Sequence, residues 1–286
     1  MTFFPFRSKI GTDLLMIRLA NLTASISNTI KEGEFRMARA LISKNATKSV
    51  YRDGDKAVKV FCKGFPKAEV LNEALISARV EAIGGINIPS VQAVSVEEDG
   101  CWSITRDYIE GKTLTELMKE NPDKRDEYLN QMVELQLMIH SKTCPLLNKL
   151  KDKMARQISE MEELDPVNRY DLLTRLDSTP KHIKLCHGDF QPDNIIVKED
   201  GTMYVVDWVH ATQGNASADV ARTYLLFCLS DQAAADKYMD LFCEKTGTAK
   251  RYVQQWLPLV AAAQLTKKRP EEQELLQSWL NVCDYQ

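Results

Sequence analysis

Polar and hydrophobic positions alternate with period two along Lys56-Ala57-Val58-Lys59-Val60-Phe61. That alternation sets Ala57, Lys59 and Phe61 on one face of a strand and Val58 and Val60 on the other. From Lys67 to Ile83 the spacing changes to three and four, and Val70, Leu71, Ala74, Leu75, Ala78 and Ala82 form a helical stripe. Trp102 to Asp107 reads as a further strand that runs into the linker Tyr108-Ile109-Glu110-Gly111. Strand-rich sequence thus fills residues 37–107, and helical patterns dominate afterwards. Thr113-Leu114-Thr115-Glu116 is a capping box that starts a helix. Asp126 to Ser141 carries Leu129, Met132, Val133, Gln136, Ile139 and His140 on one side, where His140 reads as a satisfied core histidine. Residues 149–176 form a charged amphipathic stretch, read as a solvated helical face. From residue 231 the helical pattern resumes, through Trp256-Leu257-Pro258, Ala261-Ala262-Ala263 and a helix from Glu271 to Val282.

One short segment breaks this helical run. His182 to Cys186 has the character of a strand, and His187-Gly188-Asp189 leaves it, with Gly188 permitting a tight conformation. Pro192 interrupts any helix, so residues 188–194 read as an ordered loop. Ile195-Ile196-Val197, a turn at Glu199-Asp200-Gly201, and Met203 to Val206 then form a hairpin. Asn194 and Asp207 sit at neighbouring ends of that hairpin, where both can reach one metal. An Asp taken alone is a turn or cap residue. Asp189, Asn194 and Asp207 together are what phosphoryl transfer needs: a carboxylate to accept a hydroxyl proton and two hard oxygen ligands for Mg·ATP. His187 reads as a packing and hydrogen-bonding residue that holds the loop.

The segment resembles the signature of the aminoglycoside phosphotransferase and choline kinase superfamily, a branch of the protein-kinase-like fold. Members share His-Gly-Asp-x-x-x-x-Asn followed by Asp-Trp or Asp-Phe. The resemblance implies an α+β, bilobal architecture: a small β-rich lobe with one key helix and a larger, mainly helical lobe. It implies Asp189 as catalytic base and Asn194 and Asp207 as magnesium ligands. It extends to Ser217-Ala218-Asp219-Val220-Ala221-Arg222, although Asp219 has a sufficient local explanation as the N-cap of a helix bearing Val220, Tyr224, Leu225 and Phe227.

A kinase also needs a lysine on the phosphates and a carboxylate to position it. Lys59 is the candidate lysine, beside small Ala57, which leaves room for an adenine ring. Glu73 resembles the family's ion-pairing Glu, by its distance from Lys59 and from Ile88-Pro89; Glu69 and Glu81 read as solvated. Residues 40–51 occupy the place of the family's glycine-rich phosphate hairpin, yet contain no glycine. Asn45 stands where relatives have Gly, and Asn is the next-best residue at positive φ. Backbone amides with the Ser43, Thr47 or Ser49 hydroxyls are then the phosphate contacts. In the family the hinge backbone bonds adenine near Tyr108 and Ile109. The division expected is an N-terminal extension over 1–36, a nucleotide-binding lobe over 37–107, and a catalytic and acceptor-binding lobe over 108–286.

Composition narrows the partners. The formal net charge of −3 gives no reason to expect nucleic acid. Seven cysteines, none in a Cys-x-x-Cys arrangement, point to free thiols in a reducing cytoplasm. There is no 18-residue apolar span, and Arg7, Lys9, Asp13 and Arg18 interrupt any signal peptide. The first 15 residues differ from the rest, which puts the expected translation start at Met16. The reading is an ATP-dependent kinase, with GTP left open, that uses Mg²⁺ to phosphorylate a small-molecule hydroxyl. A pseudokinase-type scaffold is the alternative, supported by the glycine-free hairpin. A protein kinase fits less well, since no Arg precedes Asp189 and no Asp-Phe-Gly boundary is present. From Asp219 to Gln286 nine acids face eight bases, so no acidic surplus marks a site for a polycationic acceptor. Glu271, Glu272 and Glu274 read as an exposed helix face.

Overall fold

The alternation along Lys56–Phe61 is realised as the central strand of a five-stranded sheet, in a computed structural model that describes residues 39–162 and 164–280. The N-terminal extension, with Met16, lies outside the described residues, as does the end of the helix expected to reach Val282. The strands are β1 (Ala40–Lys44), β2 (Lys48–Asp53), β3 (Lys56–Phe61), β4 (Val91–Val96) and β5 (Trp102–Asp107), in the order β1-β2-β3-β5-β4. β3 pairs antiparallel with both neighbours, which sets Lys59 opposite Val50 on one side and Ile104 on the other.

Helix α1 (Lys67–Glu81) packs on this sheet through Val70 and Ala74, which meet Phe61 and Ile104 in a small core. Its buried face differs from the expected stripe. Val70, Glu73, Ala74, Ile76, Ser77 and Val80 are buried, whereas Leu71 and Leu75 are exposed. The helix is rotated so that a carboxylate, not the leucines, faces the sheet. Cations waiting on β2, β3 and β5 supply the reason, because a buried charge is tolerated when it is paired.

Tyr108 to Gly111 links the sheet to the rest of the chain without regular structure. β6 (Lys112–Thr113) follows and pairs with β8 (Ile195–Val197), which forms the expected hairpin with β9 (Met203–Val205). Thr113 caps α2 (Leu114–Glu120) through the predicted capping box, a feature worth about 1 kcal/mol. The helical region continues with α3 (Arg125–His140), α4 (Leu150–Ser159), α5 (Pro166–Ser178), α6 (Ala216–Cys228), α7 (Gln232–Thr246), α8 (Lys250–Gln254), α9 (Leu257–Leu265) and α10 (Gln273–Leu280). The single stretch expected over 149–176 is two helices, because Asp165 caps a new one at Pro166. α3 buries the six residues expected of it, including Gln136 and His140. β7 (Lys184–Cys186) lies against α3 and pairs with β10 (Thr212–Gly214), so the loop that carries Asp189 leaves from a fully buried strand end. No helix among the described residues is long and apolar enough to cross a membrane.

Candidate active site

The loop after β7 is held by backbone bonds to one buried carboxylate. Asp219 Oδ1 accepts from the Gly188 amide at 2.7 Å, and Oδ2 accepts from the His187 amide at 3.2 Å. Gln136 and His140 donate to the same carboxylate, at 3.2 and 2.9 Å. Burial alone would raise the Asp219 pKa, but the bonds from His140 and Gly188 hold it below the ordinary carboxylate range. Asp219 therefore anchors the loop and is not an N-cap. That role belongs to Asn215, whose side chain accepts from the Ser217 amide. Gly188 has φ of +78°, and a Cβ there would lie 2.5 Å from the His210 carbonyl oxygen. His187 packs against Trp208 and Phe190; its Nδ1 accepts from the Asp189 amide at 3.2 Å and its Nε2 reaches the Val206 carbonyl at 3.1 Å. Those two bonds require the neutral Nε2–H tautomer, and burial lowers the His187 pKa accordingly. Its place is structural, as its sequence context suggested.

Pro192–Asn194 forms a 3-10 turn inside the loop. Asn194 Nδ2 donates to the Asp189 carbonyl at 2.8 Å, which leaves Oδ1 as the group available to a cation. The Val206 amide bonds the Asn194 carbonyl at 2.9 Å, so the hairpin ties Asn194 to the residue before Asp207. Asp207 takes the left-handed conformation, φ 61° and ψ 57°, which costs a non-glycine residue about 1 kcal/mol. Its carboxylate meets Lys59 Nζ at 3.0 Å and keeps 39% of its surface exposed. Burial opposes its ionisation, but the Lys59 ammonium, with Lys48 and Arg106 beyond, pulls the Asp207 pKa down to about 2. Asp207 and Asn194 thus offer one fixed anion and one neutral oxygen, a hard donor pair suited to Mg²⁺.

Lys59 Nζ bonds Glu73 Oε1 at 2.8 Å as well as Asp207. Glu73 is 1% exposed and receives two further cations that the sequence did not reveal. Lys48 reaches its Oε2 at 3.2 Å and Arg106 its Oε1 at 3.0 Å. Lys48 starts β2, and its register opposite Phe61 carries it over α1. Glu69 is exposed as expected, but Glu81 is not a solvated residue: it bonds Ser90 Oγ and accepts from the Val91 amide at 3.2 Å, tying α1 to β4.

The glycine-free turn closes by a different device from the one anticipated. Asn45 does not adopt positive φ; its side-chain oxygen accepts from the Thr47 and Lys48 amides at 3.0 and 2.9 Å and from the Thr47 hydroxyl at 3.3 Å. Asn and Asp commonly close turns in this way. Ser43 lies exposed on β1. At the linker, the Tyr108 amide donates to the Asp55 carbonyl at 2.8 Å and the Arg52 guanidinium stacks on its ring. Ala57 is half-buried on β3, two residues before Lys59.

Around Asp189 the structure gathers residues far apart in sequence. Asp189 Oδ2 receives Gln191 at 3.3 Å, and Oδ1 lies 3.6 Å from Arg222. Lys153, from the stretch read as a solvated face, donates to the His210 carbonyl at 3.2 Å. Its neighbours Met154 and Ile158 are buried, and that amphipathic spacing was the signal that α4 turns this side inward. Glu272, expected on an exposed face, is buried and bonded to Arg269 and Gln264.

The profile of the phosphotransferase enzyme family matches residues 40–256. No curated protein sequence matches the chain. Among solved structures, a thermostable aminoglycoside phosphotransferase APH(4)-Ia in ternary complex with AMP-PNP and hygromycin B shares 16% identity, with a TM-score of 0.63 over 85% of this chain and 90% of that one. A choline/ethanolamine kinase family protein from Mesorhizobium loti shares 17% identity, with a TM-score of 0.58 over 88% of each chain. An aminoglycoside 2'-phosphotransferase in complex with GDP shares 16%, with a TM-score of 0.59 over 91% and 96%. These likenesses show the kinase-like α+β fold.

Proposed function

Because the chain belongs to the phosphotransferase enzyme family, we propose that it transfers the γ-phosphate of ATP to a hydroxyl of a small molecule. The observation that carries this reading is the bridge of Lys59 to both Glu73 and Asp207, with Asp189 and Asn194 on one anchored loop. Residues 37–107 would serve the nucleotide and residues 108–286 the catalytic groups and acceptor. Lys59, steadied by Glu73, would take the α- and β-phosphates when Asp207 turns to the metal. Ala57, Tyr108 and Ile109 would border the base, and the Ser43 and Thr47 hydroxyls with the Asn45 turn would cover the phosphates. Mg²⁺ held by Asn194 and Asp207 would supply charge compensation on the phosphates. Asp189 would receive the acceptor's hydroxyl proton as the acceptor oxygen bonds the γ-phosphorus. The bond from that phosphorus to the bridging oxygen breaks, and ADP leaves with the electron pair. The relatives' AMP-PNP and GDP complexes support a nucleotide here and leave ATP against GTP to titration.

Calorimetric titration with ATP and GTP, with and without Mg²⁺, tests the nucleotide half. Mg-dependent binding in the wild type, lost in Asp207→Ala, is expected. Asp189→Ala should keep that binding and lower turnover by about a thousandfold. Absence of binding in the wild type would overturn the reading and favour the scaffold alternative, for which the glycine-free turn is the supporting feature.

A further inference from the structure

A cavity of about 80 Å³ opens beside the Asp189 loop, walled by Gly188, His210, Leu150 and Lys153, by Arg222 from α6, and by Lys267 just beyond α9. Its charges are unbalanced. Among the described residues no carboxylate lies within 4.0 Å of Lys153 or Lys267; Arg222 bonds the Gln264 side-chain oxygen and has Asp189 as its one carboxylate, at the long distance of 3.6 Å. The other acids nearby are committed. Asp219 is filled by His140, Gln136 and two backbone amides, and Glu272 by Arg269 and Gln264. Three cations therefore face one carboxylate that still has capacity. Burial, with Arg222 nearby, draws the Lys153 and Lys267 pKa values down to about 8. Partly desolvated ammonium groups without an anion are costly, and an incoming anion relieves that cost.

We propose that the phosphate acceptor is itself an anion, a small hydroxy-carboxylate or a hydroxyl-bearing phosphate monoester, whose charged group lies between Lys153, Lys267 and Arg222 with its hydroxyl toward Asp189. The inference rests on the phosphotransferase reading and specifies its substrate class. A cationic amino alcohol or aminoglycoside would bring like charge into this cavity, which disfavours it. The transfer leaves the acceptor's anionic group unchanged: its hydroxyl oxygen gains the phosphoryl group, and its proton passes to Asp189.

The test is Mg-dependent ADP release by the full chain against a panel of hydroxy acids and sugar phosphates, neutral polyols and sugars, and cationic amino alcohols and aminoglycosides. Anionic members should exceed size-matched neutral and cationic ones in kcat/KM by about 100-fold. Glycerate against glycerol 3-phosphate then separates a carboxylate from a phosphate source. Lys153→Gln should raise the KM of the preferred anion about tenfold with little change in kcat. Lys267→Glu, on the cavity wall with Lys153, should do the same and narrow the gap to cationic members. Turnover confined to neutral or cationic members, no anion bound or phosphorylated while Mg·ATP binds, or an unmoved KM in both variants would overturn this inference alone. Failure of the wild type to bind Mg·ATP would overturn the phosphotransferase reading on which it stands.

Discussion

Single residues in this protein matter most where charge is buried. Glu73 compensates Lys48, Lys59 and Arg106 at once. Glu73→Ala would leave Lys48 and Arg106 without their carboxylate and Lys59 with Asp207 alone, a loss of about 3 kcal/mol of stability. Urea unfolding measures that loss, and Mg·ATP affinity should fall in the same variant because Glu73 no longer holds Lys59. Lys153 and Lys267 give a pH signature. Their folded pKa values near 8 lie below the ordinary lysine value of 10.5, so the unfolded chain binds more protons between those limits. Stability of the ligand-free protein should therefore rise as pH climbs from about 8 to 10.5. The groups facing these lysines are Arg222, Asp189, His210, Arg156, Arg269 and Glu272. Burial and Lys153 already hold His210 neutral, at about 3, so it does not titrate in that window. Acceptor KM should rise over the same window, since both ammonium groups lose charge. Opposite trends in a denaturation series and a pH–KM profile distinguish this from general alkaline damage.

At the scale of elements, the loop between β7 and β8 is precise because α6 holds it from below through Asp219. Asp219→Asn keeps the shape and replaces one amide acceptor with a donor. The His187 and Gly188 amides should then lose hydrogen-exchange protection, and turnover should fall with Mg·ATP affinity largely retained. From sequence Asp219 reads as the cap of its helix, whereas in the structure it anchors the loop. What decided between the two was the approach of β7 along α6, a contact between segments about 30 residues apart that no local pattern encodes. The rotation of α1 has the same origin. Periodicity identified a helix there, and the choice of face followed from cations on three strands. The hairpin and the capping box at Thr113 were legible, because their bonds close within a few residues.

Across the whole molecule, the Lys59–Asp207 pair joins the sheet to the hairpin that follows the Asp189 loop. Mg·ATP bound there would contact both regions and stabilise them together. At about 100 times its Kd it should add about 2.7 kcal/mol, which raises Tm by about 6 °C in a chain of this size. Asp207→Ala should show no such rise in a thermal-shift series. A transition that splits on adding Mg·ATP, with only one part moving to higher temperature, would mean that the nucleotide stabilises one region alone.

Local sequence was enough to define the turn of the Asp189 loop, the hairpin that carries Asn194 and Asp207, and the strand that carries Lys59. Each of these is short, and its conformation follows from glycine, proline and alternation acting over neighbouring residues. Only the packed fold set Lys48 and Arg106 beside Lys59 on Glu73 and chose which charges meet beside Asp189. Nine acids against eight bases from Asp219 to Gln286 is a nearly neutral count. Folding commits Asp219 and Glu272 to internal partners and sets Arg222 and Lys267 beside Lys153 of a distant helix, so the cavity is basic. Coulomb energy depends on separation in space and on the dielectric between charges, and neither quantity is written in sequence order.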